Sequence, residues 1–258
     1  EKSVDFILIS GDIFNTSLPP IDKLRLVVRK LRDLRDANIP VYIIAGSHDF
    51  SPSGKTMLDV IEEARLVTNV TRGSVEEGLL RLAFTVDKKT GAKITGMIGK
   101  KGMLDRKYYE VLDRVSLEAE PGYKIFLFHT ALSELKPKDL EKMDSSPLSM
   151  LPRGFDYYAG GHVHIVKEFS MDGYKMVTYP GALFPANFKE IEQWGYGGMY
   201  IIETDMQRND TQVWHPIKLY DVVSLRLECE HKLPAEVQRD IEVWVETNAA
   251  SFQSAIVT

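Results

Sequence analysis

The sequence has one cysteine, Cys229, so no intrachain disulfide can hold the chain together and the fold must rest on a hydrophobic core. So little cysteine also fits a reducing interior. No window approaches the roughly 18 consecutive apolar residues of a membrane-spanning helix, and no membrane partner is expected. Positive charge is not in surplus: 32 basic residues against 37 acidic ones leave a net charge of −5. A nucleic-acid partner would have to meet a local basic patch, because the surface as a whole is not basic. Internal repeats and low-complexity tracts are absent, which argues against a solenoid. No signal peptide is visible, but residue 1 is Glu, so truncation is expected there and targeting goes unread.

What is present is an ordinary globular composition, 44% hydrophobic and 27% charged, in a chain of 258 residues. That length suits one large domain, or a large one with a small companion. The stretch Val4-Asp5-Phe6-Ile7-Leu8-Ile9-Ser10-Gly11-Asp12 is an apolar run that stops at Gly-Asp. Such a run reads as a strand buried on both faces, and a carboxylate just past it sits where open α/β sheets bind ligands. Three later segments repeat the design of strand, small residue and ligand-type side chain. They end in Gly46-Ser47-His48-Asp49, in Phe128-His129 and in Gly160-Gly161-His162-Val163-His164.

Between these landmarks the pattern is that of a layered α/β domain. Pro19-Pro20 opens a helix over 21–38 with Leu24, Val27, Val28, Leu31 and Leu34 in one stripe, and Pro40 ends it. Ser51-Pro52-Ser53-Gly54 precedes a short helix carrying Met57, Leu58, Ile61 and Ala64. Residues 79–86 and 93–98 read as strands joined by the polar turn Asp87-Lys88-Lys89-Thr90-Gly91. A helix is expected over 105–117, then a strand ending at His129. Residues 131–152 read as a long polar loop on the active face. Short strands follow to Leu219, giving two facing sheets with helices outside. Past Leu219 a β-α-β unit is expected: a strand over 222–230, a helix over 235–249 and a strand over 251–258. About 40 residues make too small a core to stand alone. The expected division is therefore 1–219 and 220–258.

Four of the six histidines lie at predicted strand ends. Imidazole and carboxylate together suit divalent transition metals such as manganese, iron or zinc. Asp12 has two oxygens and can bridge a pair of ions, and two ions about 3.5–4 Å apart clamp an in-line displacement at phosphorus. His162 and His164 would share a face on a regular strand; in a loop they could reach separate ions. His48 is read as a general acid for a leaving oxygen, with Asp49 next to it as the acceptor that fixes its tautomer. His215 and His231 fall outside the pattern. Lys100, Lys101, Arg106 and Lys107 form a basic cluster that reads equally as a DNA-phosphate contact or a solvated loop; Lys136 and Lys138 pose the same choice.

Gly11-Asp12, Gly46-Ser47-His48-Asp49, Phe128-His129 and Gly161-His162-Val163-His164 resemble the successive motifs of the calcineurin-like metallophosphoesterases. One branch is closer, the meiotic-recombination-eleven and SbcD-type DNA repair nucleases, especially archaeal ones. The likeness lies in Gly11-Asp12-Ile13-Phe14-Asn15, the segment 51–58, the long loop after His129, Tyr179-Pro180-Gly181 and the small unit after Leu219. The resemblance implies a four-layer α-β-β-α sandwich of the α/β class with a small α+β capping domain. It implies two manganese ions, with magnesium, iron or zinc as alternatives. Asp12 resembles the bridging ligand, His129 and His162 ligands of one ion, His164 a ligand of the other, and His48 the catalytic histidine. Ser47 stands where the family has a metal-binding Asn; its shorter hydroxyl would reach a metal through water. Asn15 stands where relatives often carry His or Asp, which leaves exonuclease against endonuclease action open. The family's opening Asp-x-His motif is absent.

The expected function is a manganese-dependent DNA nuclease of double-strand-break repair, exo- or endonucleolytic, in the cytoplasm or nucleoid. Expected partners are DNA ends, double- and single-stranded, an SMC-like ATPase subunit, and a second copy of the chain. The copies would meet through the helices at 21–38 and 55–65, with Met57, Leu58 and Ile61 as contact candidates. Two other functions compete: a phosphoesterase on a different substrate, and a DNA-end-binding scaffold subunit without nuclease activity.

Overall fold

The computed structural model describes residues 3–51, 54–136, 143–205, 207–249 and 255–257. Lys138, and the loop residues Pro52 and Ser53, lie outside them. The described chain forms two compact units, Glu1–Tyr179 and Pro180–Thr258.

The first unit begins with β1 (Ile7–Ser10), α1 (Ile21–Asp36), β2 (Val41–Ile44), α2 (Met57–Glu63) and β3 (Thr68–Asn69). The three strands make a parallel sheet in the order β1-β2-β3, with Ile7 opposite Val41 and Ser10 opposite Ile44. A hairpin of β4 (Gly73–Glu76) and β5 (Leu79–Leu82) follows. Then come β6 (Thr85–Val86), β7 (Lys93–Gly96), α3 (Arg106–Glu110), α4 (Arg114–Ala119), β8 (Lys124–His129), β9 (Tyr157–Gly161), β10 (Val166–Met171) and β11 (Tyr174–Pro180). These strands form a six-stranded sheet in the order β10-β11-β9-β8-β7-β6, parallel from β7 through β8 and β9 to β11.

Alternation along each strand assigns the layers, because successive side chains leave opposite faces. On β2, Val41 and Ile43 pack with Leu31 of α1 and with Leu58 and Ile61 of α2. On β8, Phe126 and Phe128 pack with Tyr109 of α3 and Leu117 of α4. The other parity, Ile44 on β2 and Ile125 and Leu127 on β8, is buried between the sheets, where β1 and β2 lie against β8 and β9. This is the expected helix–sheet–sheet–helix layering. His129 shares the parity of Ile125 and Leu127, so it ends β8 on the inner face.

Three elements differ from the sequence expectation. The helix over 105–117 is broken: Leu80 and Leu112 form a parallel bridge, with Leu80 N–H donating to the Val111 carbonyl (2.7 Å) and Asp113 N–H to the Leu80 carbonyl (2.9 Å). Asp113 then caps α4 by accepting from Ser116 N–H. The loop after His129 is less polar than its sequence reads: Leu132, Leu135, Leu148 and Leu151 are buried, and Tyr179 Oη donates to the Thr130 carbonyl (2.6 Å) and accepts from Leu132 N–H (3.1 Å). Finally, Leu58 and Ile61, candidates for an intersubunit bundle, are buried in the chain's own core, while Met57 and the Leu24, Val27 and Leu34 stripe are half-buried against it. Ile21, Leu26 and Val60 are the large apolar side chains that α1 and α2 leave exposed.

In the second unit, α5 (Phe188–Trp194) precedes an antiparallel hairpin of β12 (Gly197–Thr204) and β13 (Asp210–Ile217), and Trp214 Nε1 donates to the Pro180 carbonyl (3.0 Å). The expected β-α-β pattern follows as β14 (Asp221–Val223), α6 (Pro234–Asn248) and β15 (Ala255–Val257), β14 and β15 pairing in parallel. The first strand is shorter than the alternation over 222–230 suggested. No residue of α6 is buried, so this unit draws little stability from that helix.

One buried carboxylate ties the first unit together. Asp87, 2% exposed, accepts from Lys89 N–H, Thr90 N–H and Thr90 Oγ1 in the β6–β7 turn, and from Tyr42 Oη of β2 (2.8 Å). Burial alone would raise its pKa, but these donors outweigh burial and hold it below the ordinary value. As pH falls, the unfolded chain therefore takes up this proton first. The stabilisation is present above about pH 3.9, the unfolded value, and is lost as pH falls through the lower folded value. Asp87→Asn turns an amide NH2 toward donors. It should cost about 2 kcal/mol near neutral pH and little in acid, read from urea unfolding across pH; an equal cost at both pH values would contradict this.

Candidate metal centre

The polar groups of the motifs collect at the C-terminal ends of β1, β2, β8 and β9. Gly11 and Asp12 both have positive φ, +88° and +54°, which turns the chain sharply off β1. Asp tolerates that region better than most residues. His162, at φ +84°, bears more strain. Where the backbone turns most tightly, glycines let the segments touch. A Cβ on Gly46 would collide with the Asp12 carboxylate, and one on Gly161 with the Ser10 carbonyl.

The Asp12 carboxylate is the meeting point. Its Oδ1 accepts from His48 N–H (2.7 Å); its Oδ2 lies 3.5 Å from Ser47 Oγ and 3.1 Å from His129 Nε2. Burial alone would raise its pKa, but the His129 ring, in its protonated form, and the His48 backbone N–H outweigh burial and lower it. His129 is 3% exposed, and its Nδ1 lies 2.7 Å from the Ser10 carbonyl. A carbonyl has no proton to give, so Nδ1–H is the donor. In the protonated ring Nε2–H faces Asp12; in the neutral ring the lone pair is on Nε2, which is buried. A carboxylate oxygen and an imine lone pair then face each other at 3.1 Å. A proton or a metal cation between them satisfies both, and the backbone partner on the far ring nitrogen is the support metal-bound histidines use.

The His162 ring stands 5.1 Å from the His129 ring, centroid to centroid, at 62°. Partial desolvation, then the neighbouring His129, draws the His162 pKa below the ordinary value; His164 and His48 add to the effect and Asp12 opposes it. His164 is exposed. Among the described residues no three His, Cys, Asp or Glu side chains already converge as a coordination shell. The donors fit a divalent cation at the Asp12–His129 pair, with His162 one ring away.

His48 is exposed, and its Nδ1 lies 2.8 Å from the Asn15 carbonyl. By the same argument Nδ1–H donates, leaving Nε2 as the end that can carry a proton outward. Asp49, expected as the partner that orients His48, points elsewhere. It is 2% exposed, and its carboxylate accepts from Gly46 N–H (3.0 Å) and Phe14 N–H (3.2 Å), bracing the loops after β1 and β2. Burial raises its pKa. The sequence carried no signal for the Asn15 carbonyl, because a backbone acceptor leaves no mark on side-chain identity. His215 and His231 lie in the second unit. For the Gly46–Asp12 approach, Gly46→Ala should cost about 1–3 kcal/mol of stability and weaken manganese binding by the folded protein at least tenfold, followed by calorimetry. Unchanged melting and uptake would contradict the close approach.

A family model described as calcineurin-like phosphoesterase matches residues 1–166. The chain is 27% identical over 196 residues to the DNA double-strand break repair protein Mre11 of Archaeoglobus fulgidus, across 74% of this chain and 43% of that protein. To the protein of the same description from Sulfurisphaera tokodaii it is 29% identical over 199 residues, 76% of this chain and 47% of the relative. The one from Methanocaldococcus jannaschii is 27% identical over 253 residues, 92% and 60%. The chain thus spans about half the length of the curated relatives it matches. With more than half of its residues matched by the family model, and with that model's span running through the Asp12, His129 and His162 cluster, the chain belongs to the calcineurin-like phosphoesterases.

Proposed function

We propose that this protein is a divalent-metal-dependent DNA nuclease that hydrolyses phosphodiesters at double-strand breaks. The observation that carries the reading is the unpartnered His129 Nε2 facing the Asp12 carboxylate at 3.1 Å. Two further supports are family membership, which implies divalent metal ions, and the likeness to archaeal proteins described as DNA double-strand break repair protein Mre11.

In this reading Asp12, His129, His162 and His164 would hold divalent metal ions, manganese being the proposed one, and Ser47 would contribute through water. Such ions, when bound, would supply Lewis-acid charge for phosphodiester hydrolysis. The protein's own groups do the rest. Ser10 fixes the tautomer of His129. The His48 amide holds Asp12 in place. His48 Nε2, with Nδ1–H anchored on Asn15, delivers a proton to the leaving oxygen. Asp49 acts by bracing the loop beneath.

Residues 220–258 are proposed as a small capping, DNA-contacting unit that follows the phosphoesterase part, 1–219, in sequence. A second copy would dock through α1 and α2, which leave Ile21, Leu26 and Val60 exposed, and an SMC-like ATPase is the proposed partner subunit. No helix among the described residues is long and apolar enough to cross a membrane; an intracellular, nucleoid setting is proposed from the DNA substrate. A second reading, a DNA-end-binding scaffold without cleavage, has one observation in its favour: the described residues hold no ready three-ligand cluster.

The full-length protein separates these readings. His48→Ala should lower manganese-dependent cleavage of duplex ends by at least about 100-fold while metal content stays at the wild-type level. Cleavage that survives would remove His48 from the proton transfer; wild-type protein that binds ends without cutting would favour the scaffold.

A further inference from the structure

The loops leaving β2 and β7 meet beside the candidate metal centre. The first runs through His48 and Asp49 to Phe50, the second through Gly99 to Lys100. Gly99 N–H donates to the Ala45 carbonyl (2.9 Å), and a Cβ on Gly99 would collide with the His129 ring. Lys100 therefore starts where that ring ends. Its ammonium donates to Tyr108 Oη (2.6 Å) and lies 4.7 Å from the ring centroids of both Phe50 and Tyr108. All three side chains are half-buried.

This cation lacks a counter-ion. Among the described residues no carboxylate lies within ion-pair distance of the ammonium, whose near contacts are Tyr108 Oη and the two rings. Arg106, in the same basic cluster, pairs with Glu110 (3.4 Å), and Lys101 and Lys107 are exposed. Two rings and a hydroxyl remove part of the water from Lys100 and hold it in one place, so an arriving anion pays less ordering cost there than at a free surface lysine. Contacts to backbone phosphates set the register of a nucleic acid without reading its sequence.

We propose that Lys100, seated between Phe50 and Tyr108, docks a backbone phosphate next to the scissile one and so makes a polynucleotide, not a one-phosphate ester, the preferred substrate. The inference rests on the nuclease reading above and deepens it. Lys100 acts in binding and leaves the chemical step to His48 and the metal ligands.

The test uses full-length protein with manganese, a duplex oligonucleotide, and bis(p-nitrophenyl) phosphate as the single-phosphate probe. Lys100→Met should raise KM for the oligonucleotide about tenfold, leave kcat within about twofold, and leave turnover of the small diester unchanged. The slope of log affinity against log salt should fall by about 0.9, one phosphate contact. Lys100→Arg should restore KM to within about threefold, and Lys107→Met should change it less than threefold. Should Lys100→Met melt early, Tyr108→Phe decides, since it keeps the ring and removes the anchor; its KM should rise about threefold. A wild-type KM and salt slope in these variants would overturn the inference alone. Wild-type protein that turns over the small diester but leaves the oligonucleotide intact would overturn the nuclease reading, and this inference with it.

Discussion

The hydrogen bond from His129 Nδ1–H to the Ser10 carbonyl is the constraint on which the site depends. It joins the end of a strand in one sheet to the end of a strand in the other. Its direction is not negotiable, because the carbonyl can only accept. Once it forms, the neutral His129 ring has its lone pair on Nε2, and the turn at Gly11 brings the Asp12 carboxylate in front of that nitrogen. Ser10 makes the link twice over: its hydroxyl donates to the Ala159 carbonyl of β9 (2.8 Å) while its own carbonyl receives His129. The packing of the sandwich thus sets the electrostatics of the site.

Around that bond the chain spends backbone strain and buried charge. Asp12 and His162 sit at positive φ, and Asp49 is buried as a brace for two loops. Such features are costly elsewhere in a fold and persist where the surroundings over-determine them. Tyr179 plays the same part behind His129, holding Thr130 and Leu132 so that the loop leaves β8 in one direction. On the proposed reading the cluster would form part of a coordination shell, with its donors held by backbone groups. A ligand set built this way loses little conformational entropy when a cation arrives.

Much of the architecture was legible because it rests on apolar runs and period-two alternation. The buried runs of β2, β8 and β9, which lead into Gly46, His129 and Gly161, announced both the facing sheets and the polar crevice. Two kinds of feature were hidden. The first is tertiary override of local preference: the helix expected over 105–117 is broken because Val111 to Asp113 bond to Leu80. Lys124 is similar. A lysine in a strand reads as a solvated end, yet its ammonium is buried at the close of α4, donating to the Leu117 and Glu118 carbonyls with Phe155 below it. The second is the backbone acceptor. The sequence placed Asp49 beside His48 and paired them by proximity; the structure gives His48 to the Asn15 carbonyl and Asp49 to two amides. Side-chain patterns name the groups that can ligate or donate, while the groups that orient them are often peptide units, which every residue carries.

The account's central claim is that a cation belongs between the Asp12 carboxylate and the bare Nε2 of His129. Anomalous X-ray scattering from crystals of the full-length protein grown with manganese tests it most directly. The account predicts an anomalous peak at roughly 2.0–2.3 Å from both Asp12 Oδ2 and His129 Nε2, with the Nδ1–Ser10 hydrogen bond kept. Crystals that hold manganese elsewhere, with His129 Nε2 protonated and donating straight to Asp12, would contradict it.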